Sequence, residues 1–240
     1  AYNAALNGIS SGSNSMKYNP PGSTNGDQNL IFETLSGSRQ GDFGTDGTYL
    51  TSLIDGSANS RNNAKTDEDA RSKYYYVNEN GNSTGIAAAD APMPLVTYEE
   101  NILTLAETAA RTKTFAEALG YLNQHRAYLA SGAAFTKVNA ADVLKYDAYV
   151  TTDFDAGGIE NADNINSDRA LLREIIQERY VSGFGTYMPW NDARRLRKSD
   201  TDVLVPFPAV YSIWSYWVLK STSNLILSFA SWAFTSLIFV

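Results

Sequence analysis

The sequence of 240 residues contains no cysteine and only one histidine, His125. The absence of cysteine excludes disulfide bonds, thiolate metal sites, cysteine nucleophiles and lipid attachment to a cysteine within this stretch. With a single histidine, any metal or catalytic site built on two histidines is excluded. The Asp- and Gly-containing loops, such as 42–47 and 153–158, lack the spacing of a calcium loop. The sequence therefore predicts a protein without a metal site and without a cofactor.

Charge is also scarce, since Asp, Glu, Lys and Arg make up only 19% of the chain. The 26 acidic residues outnumber the 19 basic ones, which gives a net charge of −7. Nucleic-acid binders usually carry a basic face, so we expect no nucleic-acid partner. The same balance argues against a polybasic membrane-surface protein. A chain poor in charge but rich in Asn, Ser, Gly and Tyr is typical of a secreted or cell-envelope protein.

Composition divides the chain into three parts. In residues 1–90, Asn, Ser and Gly fill 35 positions, which predicts a loop-rich part. Its short apolar runs, 29–32 and 49–54, fit either helices or strands. Residues 91–208 are predicted to be helical and to form one domain with the first part.

The third part, residues 209–240, is an aberrant apolar tail with 21 apolar residues out of 32 and one charge, Lys220. A membrane span, an apolar interface and out-of-frame translation after position 208 all fit this composition, and we favour the last. The chain begins without Met or a signal peptide, so we expect that either a leader has been removed or the first part of the gene is missing.

The helical part is predicted to hold four helices. Thr97 and Thr114 are each followed three residues later by Glu, a capping-box spacing that starts two helices. Because few residues separate them, they should form an antiparallel pair packed through apolar side chains (Leu105, Ala109, Leu119 and Leu122). A third helix is expected over 139–150. The fourth should start at a Ser167 cap and end near Gly183 or Gly185.

Six segments of the chain carry a family pattern, in the family's order. They are 67–76 (DEDARSKYYY), 92–100 (PMPLVTYEE), 116–126 (AEALGYLNQHR), 171–180 (LLREIIQERY), 185–196 (GTYMPWNDARRL) and 205–208 (VPFP). In this order they resemble the C-terminal half of the SusD/RagB family of outer-membrane nutrient-binding lipoproteins. The family's N-terminal half, with its lipid-anchoring cysteine, has no counterpart here, and residues 209–240 depart from its polar C-terminus.

The resemblance implies a mainly α fold, a TPR-like helical repeat scaffold with long loops. It implies a role without catalysis: capture of an oligosaccharide or other nutrient at the bacterial surface. The ligand would then pass to a SusC-like TonB-dependent outer-membrane transporter. The protein would lie on the cell outer membrane, held by a lipid anchor in the missing N-terminal part.

Candidate ligand-binding residues follow from sugar chemistry, because a sugar ring stacks its apolar face on an aromatic ring and its hydroxyls need polar partners. The candidates in the loop-rich part are Arg39, Phe43, Tyr49, Tyr74 and Tyr75, and Tyr76 completes the candidate tyrosine run 74–76. Each aromatic residue among them also suits a place in the core or at its rim.

Two rival functions fit the same sequence. A surface glycoside hydrolase would use two loop carboxylates that meet only in space. A helical-repeat interaction scaffold would present its helix pairs to a protein or peptide without a small ligand. The basic residues between positions 179 and 198 are expected to pair with Glu174, Glu178 and Asp192 rather than to bind an anion. His125 is expected to pack against its neighbours.

Overall fold

The computed structural model describes residues 1–22, 24, 26–55, 61–196, 200, 202 and 203. The helices in this part are α1 (Tyr2–Ala5), α2 (Leu30–Ser36), α3 (Tyr49–Ile54), α4 (Asp69–Tyr75), α5 (Tyr98–Thr112), α6 (Phe115–Ala130), α7 (Ser167–Ser182) and α8 (Met188–Arg195). The strands are β1 (Met16–Tyr18), β2 (Thr66–Asp67), β3 (Met93–Val96) and β4 (Lys145–Tyr146). The predicted mainly α character is confirmed. The predicted apolar tail and the 205–208 motif lie outside the described residues.

Helices α5 and α6 form the predicted antiparallel pair. The hydroxyl of Thr97 accepts a hydrogen bond from the backbone N–H of Glu100 at 3.1 Å, and the hydroxyl of Thr114 accepts one from the N–H of Glu117 at 3.2 Å. Each bond satisfies a backbone donor that the first helical turn leaves without a partner. The four side chains expected between the helices are all buried in one apolar cluster: Leu105, Ala109, Leu119 and Leu122.

Helix α7 is the central helix of the described residues. It begins at Ser167, but its cap is Asn166, whose side chain accepts from the N–H groups of Asp168 and Arg169. The N-terminal cap of α7 therefore lies one residue before the predicted Ser167. The helix ends at Ser182 with Gly183 as its C-cap, close to the predicted end, and its apolar residues enter three separate clusters. This all-round burial requires neighbours on most faces of α7, including the loop-rich part of the chain.

The predicted third helix over 139–150 is wrong. Residues 145–146 form strand β4, which pairs antiparallel with β2 so that Tyr146 lies opposite Thr66. Val143 and Val150 are exposed, so the apparent apolar stripe does not face a core. Tyr146 is buried beneath the guanidinium of Arg71 instead. The strand depends on a partner about 80 residues away, which local periodicity cannot reveal.

The two ambiguous apolar runs in the loop-rich part are short helices. Asn29 caps α2 and Thr48 caps α3 through their side-chain oxygens. The extended segment before α5 is strand β3, which pairs antiparallel with β1. No helix of the described residues is both long and apolar enough to cross a membrane.

Candidate ligand-binding groove

A buried ionic network fixes helix α4 against α7. The guanidinium of Arg71 donates to Glu68 at 2.7 and 2.8 Å and to Glu178 at 2.5 and 3.1 Å. Arg61 donates to Glu68 at 3.1 Å, to Glu174 at 3.0 Å and also to Glu178. All five side chains are almost completely buried. Buried charges that are paired in this way hold the loop-rich part in one position relative to α7.

The pKa values of the two α7 carboxyl groups in this network are shifted in opposite directions. Burial acts to raise the pKa of Glu178, but Arg71 and Arg61 outweigh it and hold that pKa well below its usual range. Burial raises the pKa of Glu174 to about 8, and the neighbouring carboxylates of Glu160 and Glu178 add to the effect. Glu178 is therefore the permanent anion, and Glu174 is the carboxyl group that takes a proton first.

His125 packs in the interior beside the network, as expected. Its Nε2 lies 3.2 Å from the hydroxyl of Ser182, and its Nδ1 lies 3.8 Å from Glu178. Burial lowers the pKa of His125 to about 4, although the charge of Glu178 acts in the opposite direction. Ser182 itself donates to Glu178 at 2.8 Å. Because the imidazole is fully buried, this grouping of Ser, His and Glu is not open to a substrate.

A surface cavity of about 480 Å³ opens between α3 and the end of α4. Helix α3 places Thr51 on one wall, Asp55 follows directly after this helix, and α4 places Lys73 and Tyr75 on the other wall. Tyr76 follows directly after the last residue of α4, and its ring is exposed at the cavity. The remaining lining residues are Thr45, Asp46, Leu50, Ile54, Ser72, Thr84 and Val138.

A second cavity of about 320 Å³ adjoins the first. Thr84 and Val138 line both, so the two cavities are neighbours, and together they are here named the α4 groove. The second cavity adds Tyr74, Asp90 and Lys137 to its walls. The α4 groove thus combines phenol rings with hydroxyl, carboxylate and ammonium groups along its length.

Polar groups in the α4 groove are partly committed to one another. The ammonium of Lys73 donates to Asp69 and to Asp142, each at 2.7 Å. The hydroxyl of Tyr76 lies 3.5 Å from the carboxylate of Asp46, which is a weak contact. A ligand with hydroxyl groups can replace the water around these exposed oxygens and donate to them.

Two of the five sequence candidates line the α4 groove. Tyr75 lines the larger cavity and Tyr74 the smaller. Both are held by aromatic neighbours, since the Tyr74 ring centroid lies 5.0 Å from that of Tyr75 and 5.3 Å from that of Phe135. Burial raises the pKa of Tyr74 to about 12, so its phenol stays neutral and can donate a hydrogen bond.

The other three candidates are not among the residues that line the α4 groove. Tyr49 packs its ring edge-on against Tyr180, with centroids 5.0 Å apart. Arg39 is exposed and forms an ion pair with Asp42. Phe43 is exposed as well. Tyr49 thus packs against Tyr180, and neither cavity of the α4 groove is lined by Arg39 or Phe43.

Sequence reasoning did not select Asp46, Asp55 or Lys73 of the α4 groove, and it included Tyr76 only as part of the tyrosine run 74–76. Tyr76 is the residue directly after α4, and it is exposed. The two aspartates come from separate loops, so no spacing in the sequence connects them.

Of the three acidic partners expected for the basic residues near α8, only Asp192 pairs with them, and Glu107 is an additional partner. Arg179 donates to Asp192 at 2.7 Å, and Arg195 contacts both Asp192 and Glu107. Arg194 lies over the ring of Trp190. The expected partners Glu174 and Glu178 belong to Arg61 and Arg71 instead, as described above. Arg197 and Lys198 lie outside the described residues.

Comparisons of this chain with protein-family models, with curated proteins and with solved structures give no match. The sequence and the α4 groove are therefore the basis for a functional proposal.

Proposed function

We propose that this protein is a non-catalytic saccharide- or nutrient-binding component of an outer-membrane uptake system. It holds its ligand in the α4 groove and passes it to a TonB-dependent transporter. The observation that carries the proposal is the larger cavity, where the exposed ring of Tyr76 lies beside Tyr75 and several hydroxyl and carboxylate groups. The TPR-like repeat frame and the outer-membrane location belong to the same proposal and rest on the resemblance in sequence.

The dimensions and chemistry of the groove suit a small carbohydrate. Ligand pockets commonly have volumes of about 300–1,000 Å³, and the larger cavity falls within this range. The Tyr76 ring offers a stacking surface, while Thr51 and Ser72 are hydroxyl-bearing residues in the same walls. A sugar needs both kinds of contact, because its C–H face is apolar and its rim is polar.

The rigid base of the groove supports binding without large rearrangement. The α4 helix carries Tyr75 on its last turn, and Arg71 of the same helix is fixed by Glu68 and Glu178. Tyr75 also packs edge-on against Phe184, with centroids 5.8 Å apart. A preorganised wall loses little conformational entropy when a ligand binds.

The test is calorimetric titration of the protein with a panel of neutral oligosaccharides. Tyr76→Ala should weaken the affinity for a bound oligosaccharide by roughly two- to tenfold, the loss of one aromatic contact of about 0.5–1.5 kcal/mol. Tyr187→Ala is the matched control, because Tyr187 is 84% exposed and does not line the groove. Equal affinity of wild type and Tyr76→Ala, or no binding to any saccharide, would contradict the proposal.

A hydrolase is the rival that the same groove must be tested against. Asp46 and Asp55 line one cavity, and glycoside hydrolysis uses two carboxyl groups. Both residues are exposed, whereas a general acid is usually shielded to raise its pKa. We expect no release of reducing ends from any bound oligosaccharide. Release that depends on Asp46 or Asp55, shown with the Asn variants, would replace binding with hydrolysis.

A further inference from the structure

We infer that the protein has a second saccharide site, separate from the α4 groove, at the end of the helix pair where α5 begins and α6 ends, and that its ligand is a neutral oligosaccharide. The site is a surface cavity of about 540 Å³ lined by Tyr98, Tyr128, Ala133 and the segment 10–13, here named the α5–α6 cavity. None of these described residues lines either cavity of the α4 groove. The inference therefore goes beyond the proposed function and does not depend on it.

Two tyrosines form the aromatic wall of the α5–α6 cavity. Tyr98 is the first residue of α5 and Tyr128 lies in the last turn of α6, which meet at one end of the antiparallel pair. Their ring centroids are 5.0 Å apart at an interplanar angle of 74°, and both residues are partly exposed. Edge-to-face packing favours one orientation of each ring. The wall therefore offers a sugar an aromatic surface that is already oriented.

The segment 10–13 contributes serine hydroxyls and is anchored to α5 on both sides. Before the segment, the backbone carbonyl of Ile9 accepts a hydrogen bond from the side-chain amide of Asn101 at 3.1 Å. After it, the hydroxyl of Ser15 accepts one from the backbone N–H of Tyr98 at 2.9 Å. These two bonds hold the serine-bearing segment beside the start of α5.

Gly12 brings the same segment into close contact with α6. A Cβ atom at Gly12 would lie 2.2 Å from the hydroxyl oxygen of Tyr128 and 2.6 Å from two carbons of its ring. A larger residue at this position would therefore displace either the ring or the segment. The backbone at Gly12 and the Tyr128 ring thus form a preorganised corner of the cavity, which loses little conformational entropy when a ligand binds.

Hydroxyl groups in the α5–α6 cavity are available to a ligand. Within the described part of the chain, no hydrogen bond engages the hydroxyl of Ser10 or that of Tyr98. Burial raises the pKa of Tyr128 to about 12, so its phenol stays neutral and donates to the carbonyl of Ala133 at 3.0 Å. Its oxygen can still accept a hydrogen bond from a sugar hydroxyl.

The lining residues also indicate the charge of the ligand, because the described ones are all uncharged. Hydroxyl groups both donate and accept, so they can exchange hydrogen bonds with the polar rim of a neutral sugar. A charged sugar would lose hydration in the cavity and find no ionic partner among these residues. Neutral oligosaccharides therefore match this cavity better than uronic acids do.

Fluorine NMR of the full chain labelled with fluorotyrosine tests the inference residue by residue. The resonances of Tyr76, Tyr98, Tyr128 and Tyr187 are assigned with the corresponding Tyr→Phe variants. Cellotetraose, maltotetraose and xylotetraose are the neutral probes. At least one of them should shift the Tyr98 and Tyr128 resonances along one saturable curve. The Tyr187 resonance is the internal control and should not move, because Tyr187 is exposed and lines neither site.

Two variants test whether the cavity itself binds the probe. Tyr98→Phe keeps the ring and removes the hydroxyl, so the affinity measured at Tyr128 should fall by roughly two- to tenfold, the effect of one lost hydrogen bond. Gly12→Ala places a methyl group against Tyr128 and should weaken binding as well. Tyr18→Phe is the matched control and should leave the affinity unchanged, because Tyr18 is exposed and lines neither site. Circular dichroism checks that all three variants fold.

The outcomes separate this inference from the proposed function. If no probe shifts the Tyr98 and Tyr128 resonances, the second site is overturned, and a response of Tyr76 alone leaves the proposed function standing. A response of Tyr98 and Tyr128 without one of Tyr76 supports the second site and contradicts binding in the α4 groove. Full affinity in both Tyr98→Phe and Gly12→Ala overturns the inference. Tighter binding of a glucuronic acid tetramer than of cellotetraose at Tyr98 overturns the assignment to neutral saccharides.

Discussion

Replacing Arg71 with methionine should destabilise the protein far more than replacing an exposed arginine. Arg71 is fully buried and donates four hydrogen bonds to two carboxylates, Glu68 and Glu178. Methionine has a similar length but no charge, so it leaves both carboxylates in the interior without this partner. The loss is therefore the cost of unpaired buried charge and not only the loss of the bonds themselves.

The magnitude follows from measurements on other buried ion pairs. Removal of one partner typically costs about 3–5 kcal/mol, which is two to four powers of ten in the unfolding equilibrium at about 1.4 kcal/mol per tenfold change. Arg39→Met is the matched control, since the Arg39–Asp42 pair is exposed, with side-chain exposures of 68% and 50%. An exposed pair contributes only about 0.2–1 kcal/mol.

Urea unfolding followed by circular dichroism measures both variants. The midpoint of Arg71→Met should fall well below that of Arg39→Met while the slope of the transition is retained. If Arg71→Met is unfolded in water, Arg71→Lys supplies the measurement, because it keeps the charge and loses the forked geometry. Equal midpoints for Arg71→Met and Arg39→Met would refute the reasoning that this network holds α4 on α7.

Three further predictions concern α7 and its surroundings. Glu178→Gln should lower the free energy of unfolding by about 3–5 kcal/mol at neutral pH, because it removes a buried anion that two arginines pair with. Glu174→Gln should change it by less than about 1 kcal/mol, because an amide resembles the protonated acid that a raised pKa favours. Equal losses in urea unfolding would contradict the opposite pKa shifts of the two carboxyl groups. Between pH 6.5 and 4 the unfolded state protonates His125 while the folded state keeps it neutral, so the wild type should lose up to about 3 kcal/mol more than His125→Gln as the pH falls. If the free energy of unfolding falls equally with pH in the wild type and in His125→Gln, the lowered pKa of His125 is refuted. Asn166→Ala should lower the free energy of unfolding by about 0.5–2 kcal/mol because α7 loses its N-terminal cap, while Ser167→Ala should have little effect. A larger loss of thermal stability in Ser167→Ala than in Asn166→Ala would show that Ser167 is the cap.

The sequence predicted the parts of the fold that depend on local interactions. Thr97 and Thr114 lie at the starts of α5 and α6 because their hydroxyls reach backbone donors only three residues away. The antiparallel arrangement followed from the short connection between the two helices. Such signals involve neighbours in the chain, so they can be read without a structure.

The sequence misjudged the features whose partners are distant in the chain. Val143 and Tyr146 fit a helical stripe, but pairing of β4 with β2 decides the local structure there. Likewise Glu174 and Glu178 were assigned to basic residues close in sequence. They pair instead with Arg61 and Arg71, more than 100 residues away.

In the α4 groove as well, the sequence shows which residue types are present but not which of them lie together. The run of tyrosines at 74–76 is visible in the sequence, and all three line the α4 groove. The sequence could not show that Tyr49 turns toward Tyr180 or that Asp46 and Asp55 share a cavity with Tyr76.

The sequence by itself therefore determined the residue types available for binding and the starts of α5 and α6, because both depend on composition and nearby spacing. The tertiary structure alone decided which of these residues share a groove, because ionic pairs across more than 100 residues fix α4 against α7 and thereby set where Tyr75 and Tyr76 lie.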